Sequence, residues 1–151
     1  SRLTLDQRAG AVLADGRWTA SVLQTAVELE ARWPHVGIAL RVFDYQLTAS
    51  RDRLVSGTVG VRVPLFARGD HELLLAVDVG GASHRELAQW IFPGGRRDAA
   101  KGLALAGALR FTSPVSRHVN LGASVRYGSI VKAGVHWLSA AFVMTVELDR
   151  R

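Results

Sequence analysis

Large apolar residues recur at every second position through most of the 151-residue chain. The clearest case runs from Thr25 to Trp33, where Thr, Val, Leu, Ala and Trp alternate with Ala, Glu, Glu and Arg. Successive side chains of a β-strand point to opposite faces of the sheet, so this alternation predicts a strand with one apolar face. The same pattern predicts further strands over 3–14, 36–43, 56–65, 72–80, 102–111, 118–127 and 141–148.

Turn-forming residues separate these segments. Asp15-Gly16 and Gly69-Asp70 predict tight connections, whereas Ala49 to Arg53 predicts a medium loop and roughly 85–100 a long one, both in the same alternate set of connections. Short turns at one end, longer loops at the other and strands of about 9 to 13 residues are typical of outer-membrane barrels. The sequence therefore predicts a single all-β domain over 1–151. We expect an antiparallel, up-and-down transmembrane β-barrel of about eight strands, with both termini in the periplasm.

The second face of each strand distinguishes a membrane barrel from a soluble one. A soluble barrel turns its aliphatic face inward and carries Lys, Glu, Thr and Gln on the face that meets water. Here the second face carries Gly, Ala and single charges, which suit the narrow interior of an eight-stranded barrel. We therefore expect a small, filled lumen with internal ion pairs, and a soluble barrel with an apolar pocket is the alternative. The charges on this face are Glu28, Glu30, Arg32, Arg41, Arg62, Asp78, Arg110, Arg126 and Glu147.

Composition excludes several other classes of protein. Lys and Arg number 19 against 13 Asp and Glu, which gives a net charge of +6. These basic residues are scattered singly through apolar segments, so we expect no nucleic acid partner. Cys is absent, and no apolar stretch approaches the about 20 residues of a spanning helix. The chain begins at Ser1 without an apolar leader, so we expect a signal peptide to have been removed and the protein to reside in the bacterial outer membrane.

The histidines do not form a metal-binding motif. They lack the short spacings of metal ligands. Their positions are His35, His71, His84, His118 and His136. We expect no metal and no other cofactor.

The C-terminal third resembles a family of outer-membrane enzymes. The run from Asn120 to Gly134, NLGASVRYGSIVKAG, is similar to the penultimate strand of the lipid A 3-O-deacylases, which remove an ester-linked acyl chain from lipopolysaccharide. Residues 57–66 and 73–81 resemble the family's fourth and fifth strands, and residues 9–33 resemble its opening hairpin. The resemblance implies an outer-membrane barrel with its functional site on the lipid-facing wall.

At the implied catalytic positions the chain departs from this family. The family uses His, Ser and an acidic residue, and the matching positions hold Ser129 in place of His and Val131 in place of Ser. The acidic residue is expected within 137–140, where no carboxylate occurs, and His136 is the nearby base. The main hypothesis is therefore a barrel that lacks the catalytic residues and acts as a structural or partner-binding membrane component. An active ester hydrolase that uses Ser129 and His136 is the alternative.

The long connection and its neighbours combine apolar and basic residues. Trp90, Ile91 and Phe92 are expected at the membrane interface, in contact with a protein partner, or packed over the barrel mouth. The basic residues form a rim that suits the phosphates of lipopolysaccharide, with a solvated charged loop as the alternative. They are Arg51, Arg53, Arg85, Arg96, Arg97 and Lys101. The expected partners are thus outer-membrane lipid, with lipopolysaccharide as the candidate, and a membrane protein bound through 85–100.

Single aromatic residues supply two further expectations. Trp33, Trp137 and Tyr127 fall near predicted strand ends and are expected in an aromatic girdle at the membrane interfaces. The alternation over 36–43 assigns Phe43 to the same, lumen-facing side as Arg41.

Overall fold

The computed structural model describes residues 1–14, 16–49, 53–69, 71–85 and 100–148. Among these residues no helix is long and apolar enough to cross a membrane. The strands are β1 (Arg2–Ala14), β2 (Arg17–Arg32), β3 (Gly37–Thr48), β4 (Arg53–Arg68), β5 (His71–Arg85), β6 (Ala100–Pro114), β7 (Val119–Ile130) and β8 (Val135–Glu147). The sequence alternation identified all eight strands, although several extend beyond it. β2, for example, begins eight residues before the predicted start at Thr25.

The sheet closes on itself. Each strand pairs antiparallel with the next one along the chain, and β1 also pairs with β8. The predicted eight-stranded, antiparallel, up-and-down barrel is therefore confirmed. We call the end at which Arg2 pairs with Glu147 the terminal end. The opposite end, where the connections 15–16, 49–52, 86–99 and 131–134 join the strands, is the loop end.

The outer face of the barrel is predominantly apolar. Large hydrophobic side chains on alternate positions of every strand are exposed, including Leu40, Val59, Val77, Leu109, Val125 and Phe142. An apolar surface of this extent is rare on a soluble monomer, whereas hydrocarbon is its natural environment. Because closure pairs every strand on both sides, the wall also leaves no sheet edge exposed to lipid. The barrel therefore has the exterior of a membrane-spanning protein, opposite to that of the soluble alternative.

The inner face carries the charged residues. All nine charges that the alternation assigned to the lumen are buried or half-buried inside the barrel. Five further charges, which the sequence did not predict there, join them: Asp6, Arg8 and Asp44 lie deep inside, and Arg2 and Glu72 lie at one mouth. The small Ala and Gly residues between these charges leave the room that the long arginine side chains occupy.

A bulge in β3 explains one of these unpredicted charges. The register between β3 and β4 shifts between Arg41 and Asp44, and Phe43 takes a positive φ of 51°. Such a bulge inserts an extra residue and reverses the alternation beyond it. Phe43 therefore lies on the outer face, with 75% of its surface exposed, and Asp44 turns inward. The lumen position predicted for Phe43 is wrong for this reason.

Beside the buried side chains of Gln24 and Gln46, apolar side chains cluster in the loop-end half of the lumen. They are Val12, Leu54, Ala82, Ala104, Ala106, Ile130, Val135 and Trp137, which we call the apolar plug. Trp137 is only 1% exposed, so its expected place in the aromatic girdle is wrong. Its partner on β7 is Gly128, where an added Cβ would lie 2.2 Å from the indole ring. Trp33 and Tyr127 are exposed on the outside, as a girdle requires.

Candidate functional site

Glu28 is the centre of the ion network in the lumen. Its carboxylate accepts hydrogen bonds from Arg62 Nε at 2.9 Å, Arg110 Nη2 at 3.1 Å and Arg41 Nη1 at 3.3 Å. These arginines lie on β4, β6 and β3, so one side chain from β2 connects four strands across the barrel. Burial of a charge is costly unless it is paired and hydrogen-bonded, and three guanidinium groups meet that requirement here.

Arg41 links this centre to charges on β1 and on its own strand. Its Nε donates to Asp44 at 2.8 Å, and its Nη2 donates to Asp6 at 2.5 Å. Arg8 also donates to Asp44. The bulge that turns Asp44 inward is therefore what allows Arg8 and Arg41 to share one carboxylate.

Asp78 extends the network to the other side of the lumen. It accepts a hydrogen bond from Arg62 Nη1 at 2.6 Å, and Arg126 Nη1 lies 2.7 Å from its Oδ2 atom. Arg62 thus bridges Glu28 and Asp78, so the buried charges form one connected set.

A second group of ion pairs lies at the terminal end. Arg32 donates to Glu30 at 2.5 Å and to Glu72 at 2.7 Å. Arg2 lies 3.3 Å from Glu72 and 3.3 Å from Glu147. Glu30 is buried, whereas Arg2, Arg32, Glu72 and Glu147 are half-buried, which places this group at the mouth of the lumen.

The described part of the lumen is electrically neutral. Its seven arginines are matched by seven carboxylates. The net charge of +6 therefore belongs to residues outside the lumen. Among the described residues, no group of three His, Asp or Glu could hold a metal ion. Ion pairs occupy the lumen toward the terminal end and the apolar plug occupies it toward the loop end. The lumen is therefore filled, as the sequence predicted.

The predicted loop-end residues are only partly described. Arg53 and Arg85 are direct cross-strand partners on β4 and β5, and Lys101 lies at the same end on β6. The structure does not describe the side chains of Arg85 and Lys101. It describes no part of Arg51, Arg96 or Arg97. Trp90, Ile91 and Phe92 belong to the 86–99 connection, which also lies outside the described residues.

The two catalytic candidates meet on the outer wall. Ser129 on β7 is the direct partner of His136 on β8. His136 Nδ1, however, hydrogen-bonds to the Tyr127 hydroxyl at 2.7 Å, and the two rings stack with their centroids 5.9 Å apart. Every Asp and Glu that the structure describes faces the lumen, so none of them lies beside this pair. The arrangement thus has a hydroxyl and an imidazole, but no hydrogen bond between them and no described carboxylate to orient the base.

Comparison with known proteins identifies the fold. No protein-family model matches the chain, and no curated protein matches it. Neisserial surface protein A is 14% identical, with a TM-score of 0.75 over 97% of this chain and 96% of that one. Ail of Yersinia pestis, in complex with the heparin analogue sucrose octasulfate, is 12% identical, with a TM-score of 0.57 over 96% and 95%. The N-terminal β-barrel domain of Pseudomonas aeruginosa OprF is 7% identical, with a TM-score of 0.58 over 95% and 96%.

These neighbours define the class of protein to which the fold corresponds. The chain forms a small, eight-stranded β-barrel of the outer-membrane type, as the sequence predicted. The neighbours and the apolar exterior support the predicted location in the bacterial outer membrane. The resemblance to lipid A deacylases gains no support from them and stays a prediction.

Proposed function

We propose that the protein is a structural component of the bacterial outer membrane that lacks hydrolase activity and contacts lipopolysaccharide and a membrane partner at its loop end. One observation carries the proposal: every described carboxylate is used inside the lumen, in balance with seven arginines. The barrel interior is therefore committed to holding the strands together. The surfaces left to bind lipid or a protein partner are therefore the apolar outer wall and the basic loop end.

The absence of hydrolase activity follows from the outer-wall residues within this proposal. If the chain descends from a deacylase, Val131 occupies the position of the nucleophile and has no group that could attack an ester. Ser129 has a histidine opposite it, but that imidazole is engaged with Tyr127.

A direct assay tests this part of the proposal. Purified protein in detergent is incubated with lipid A, and the acyl chains are counted by mass spectrometry. We expect the lipid to stay intact. Loss of an acyl chain that disappears in the Ser129→Ala variant would contradict the proposal and favour the second candidate, an ester hydrolase. The cross-strand pairing of Ser129 with His136 is the observation that favours that candidate. Labelling of Ser129 by a fluorophosphonate probe would support it independently.

The basic rim supports the contact with lipopolysaccharide. Arg53 and Arg85 are cross-strand partners at the loop end of β4 and β5, so the register brings two basic residues of the rim to neighbouring positions. Guanidinium groups bind phosphate with two parallel hydrogen bonds. The structural neighbour Ail was captured with a heparin analogue, sucrose octasulfate, which is also a polyanion.

Two arginines on the same strand allow a matched test. Arg53 lies at the loop end of β4 and Arg68 at its terminal end. Calorimetric titration of the detergent-solubilised protein with lipopolysaccharide is expected to give about tenfold weaker binding for Arg53→Gln than for wild type, since a hydrogen bond to a charged group contributes about 1.5–3 kcal/mol. Arg68→Gln is expected to bind like wild type. Equal weakening in both variants would indicate a general charge effect and would contradict a loop-end site.

The protein partner is assigned to the 85–100 segment. The proposal rests on three adjacent large apolar residues, Trp90, Ile91 and Phe92, in a segment expected to be polar. Blue native electrophoresis of outer membranes is expected to show a complex that is lost when all three are replaced by Ala. A complex of unchanged size in that variant would remove the segment from the proposal.

A further inference from the structure

The outer wall contains an open groove of about 460 Å³ near the loop end. The lining residues come from β1, β2, β7 and β8, and they are Gly10, Ala11, Trp18, Val125, Leu138, Ser139 and Ala140. Gly10, Ala11 and Ala140 are small, and Ser139 is 2% exposed with its side chain toward the lumen, whereas the rest of the wall carries large aliphatic side chains. The register shift between Gln7 and Ala11 in β1 lies at the same place. The groove is thus a local feature of this wall, formed by small residues beside a β-bulge.

A polar pair lies next to the groove, on the side of the loop end. Leu138, which lines the groove, is the direct partner of Tyr127 on β7. Tyr127 hydrogen-bonds to His136. On β8, His136 is the next outward-facing residue after Leu138 in the direction of the loop end. This bond uses Nδ1 of the imidazole and leaves Nε2 for a ligand. Tyr127 holds a girdle position and His136 adds an imidazole beside it, so the pair marks the level of the membrane interface, where a lipid headgroup would lie.

Two exposed cations follow beyond this pair. Arg17 is paired with Ala14 at the loop end of β2 and β1, and Lys132 lies in the turn that joins β7 to β8. The wall therefore changes along one line from an apolar groove to a hydrogen-bonding pair and then to positive charge. An amphipathic molecule with an acyl chain and an anionic head has the same order of chemistry.

We propose that this groove binds one acyl chain of an anionic membrane phospholipid, with its headgroup at Tyr127, His136 and Lys132. The closed barrel pairs both edges of β1 and β8, so the groove offers no backbone partners to an extended peptide. One turn of a helix with its side chains, about 11 Å across and 5.4 Å long, would by itself take up about 500 Å³, the whole groove. A flexible acyl chain follows the groove and regains the van der Waals contacts that an unfilled depression forfeits.

This site lies apart from the basic rim around Arg53, so it goes beyond the proposed function. The two proposals can be contradicted independently, because the lipopolysaccharide contact depends on Arg53 and the acyl-chain site depends on Ala140. The volume of the groove falls within the range of about 300–1,000 Å³ that is typical of small-molecule sites.

Native mass spectrometry of the detergent-solubilised protein with added phosphatidylglycerol tests the proposal. The Ala140→Leu variant fills the groove, and Ala123→Leu makes the same change at another outward-facing position, on β7, that does not line the groove. We expect wild type and Ala123→Leu to retain one lipid. Ala140→Leu is expected to retain it about tenfold less, since a blocked chain loses the contacts of several methylene groups. Folding of each variant is checked by the shift in electrophoretic mobility on heating, and Ala11→Val replaces Ala140→Leu if the latter does not fold.

Two further measurements distinguish binding of the acyl chain in the groove from binding of the headgroup. Tyr127→Phe is expected to reduce retention of phosphatidylglycerol, and uncharged diacylglycerol with the same chains is expected to be retained less by wild type. Equal retention in Ala140→Leu and Ala123→Leu would overturn the acyl-chain site. Equal retention of the two lipids would overturn the headgroup assignment. A dimer in place of a lipid adduct, lost in Ala140→Leu, would assign the groove to a second copy of the chain.

Discussion

Along β6 the residues that face the lumen differ in kind from those that face outward. The inward residues are Ala104, Ala106, Ala108 and Arg110, and the outward ones include Leu103, Leu105, Leu109 and Phe111. The inner face has a fixed volume and specific partners, so each residue there must be small or paired. The outer face meets fluid lipid, which adapts to any apolar shape. Substitutions on the two faces should therefore fail for different reasons.

The largest effect is expected for Glu28→Gln on the inner face. The change leaves Arg41, Arg62 and Arg110 without their shared carboxylate, and removal of one partner from a buried ion pair costs about 3–5 kcal/mol. Urea unfolding in lipid vesicles, followed by tryptophan fluorescence, measures the change in the free energy of unfolding. Glu147→Gln at the lumen mouth is the control, because its partner Arg2 is partly solvated and the expected cost is about 0–1 kcal/mol. Similar losses in both variants would contradict a special role for the central network.

A comparable loss is expected for Trp137→Ala in the apolar plug. Replacement of a buried Trp by Ala costs about 3–5 kcal/mol, because the surroundings collapse only in part. The ion network below the plug still closes the lumen, so conductance across a planar bilayer is expected to stay at background. Stable ion currents through this variant would show that the plug alone closes the barrel.

A charge on the outer face should destabilise the barrel according to its depth in the membrane. Leu109 lies near the middle of β6, and Leu109→Arg is expected to cost about 2–4 kcal/mol. Phe66 lies near the terminal end of β4, and Phe66→Arg is expected to cost about 0–1 kcal/mol. The same unfolding assay in vesicles compares the two variants. Equal costs at both depths would contradict a lipid-facing wall.

The smallest of these effects is expected for Gly128→Ala. A Cβ at this position would lie 2.2 Å from the indole of Trp137, so the ring has to move. Overpacking of this kind costs about 1–3 kcal/mol. The double variant with Trp137→Ala should recover most of this added cost, which a double-mutant cycle measures. Purely additive costs would show that the two residues do not compete for one space.

The alternation of apolar and polar residues along each strand was enough to predict the fold and most of the residues that face the lumen. The charges on β2, β4 and β6 fell on the inner face because each strand keeps its alternation through them. Asp44 was missed because the bulge at Phe43 reverses the alternation, and a single sequence does not show where an extra residue is inserted. The lumen position of Trp137 is predictable from the sequence, since it lies four residues before the inward residue Ala141 and therefore on the same face of β8. The preference of Trp for membrane interfaces points to the opposite face, and here packing inside the lumen outweighs it.

The pairing of residues within the sites could not be predicted in the same way. Glu28 and Arg110 are 82 positions apart and meet only because the closed barrel brings β2 and β6 together across the lumen. The Tyr127–His136 pair depends on the register that the 131–134 turn sets between β7 and β8. Alternation identifies the face of a residue, whereas its neighbours follow from register and closure.

The most direct test of the account uses the absence of Cys from the chain. Single cysteines introduced at each position from 103 to 111 of β6 are labelled with a nitroxide in lipid vesicles. The accessibility of each label to oxygen and to a water-soluble nickel complex is then measured. We predict a period of two, with high oxygen accessibility at 103, 105, 107, 109 and 111 and low accessibility to both reagents at the positions between them. High accessibility of the odd positions to the nickel complex would contradict a membrane-spanning barrel with an apolar outer wall and a filled lumen.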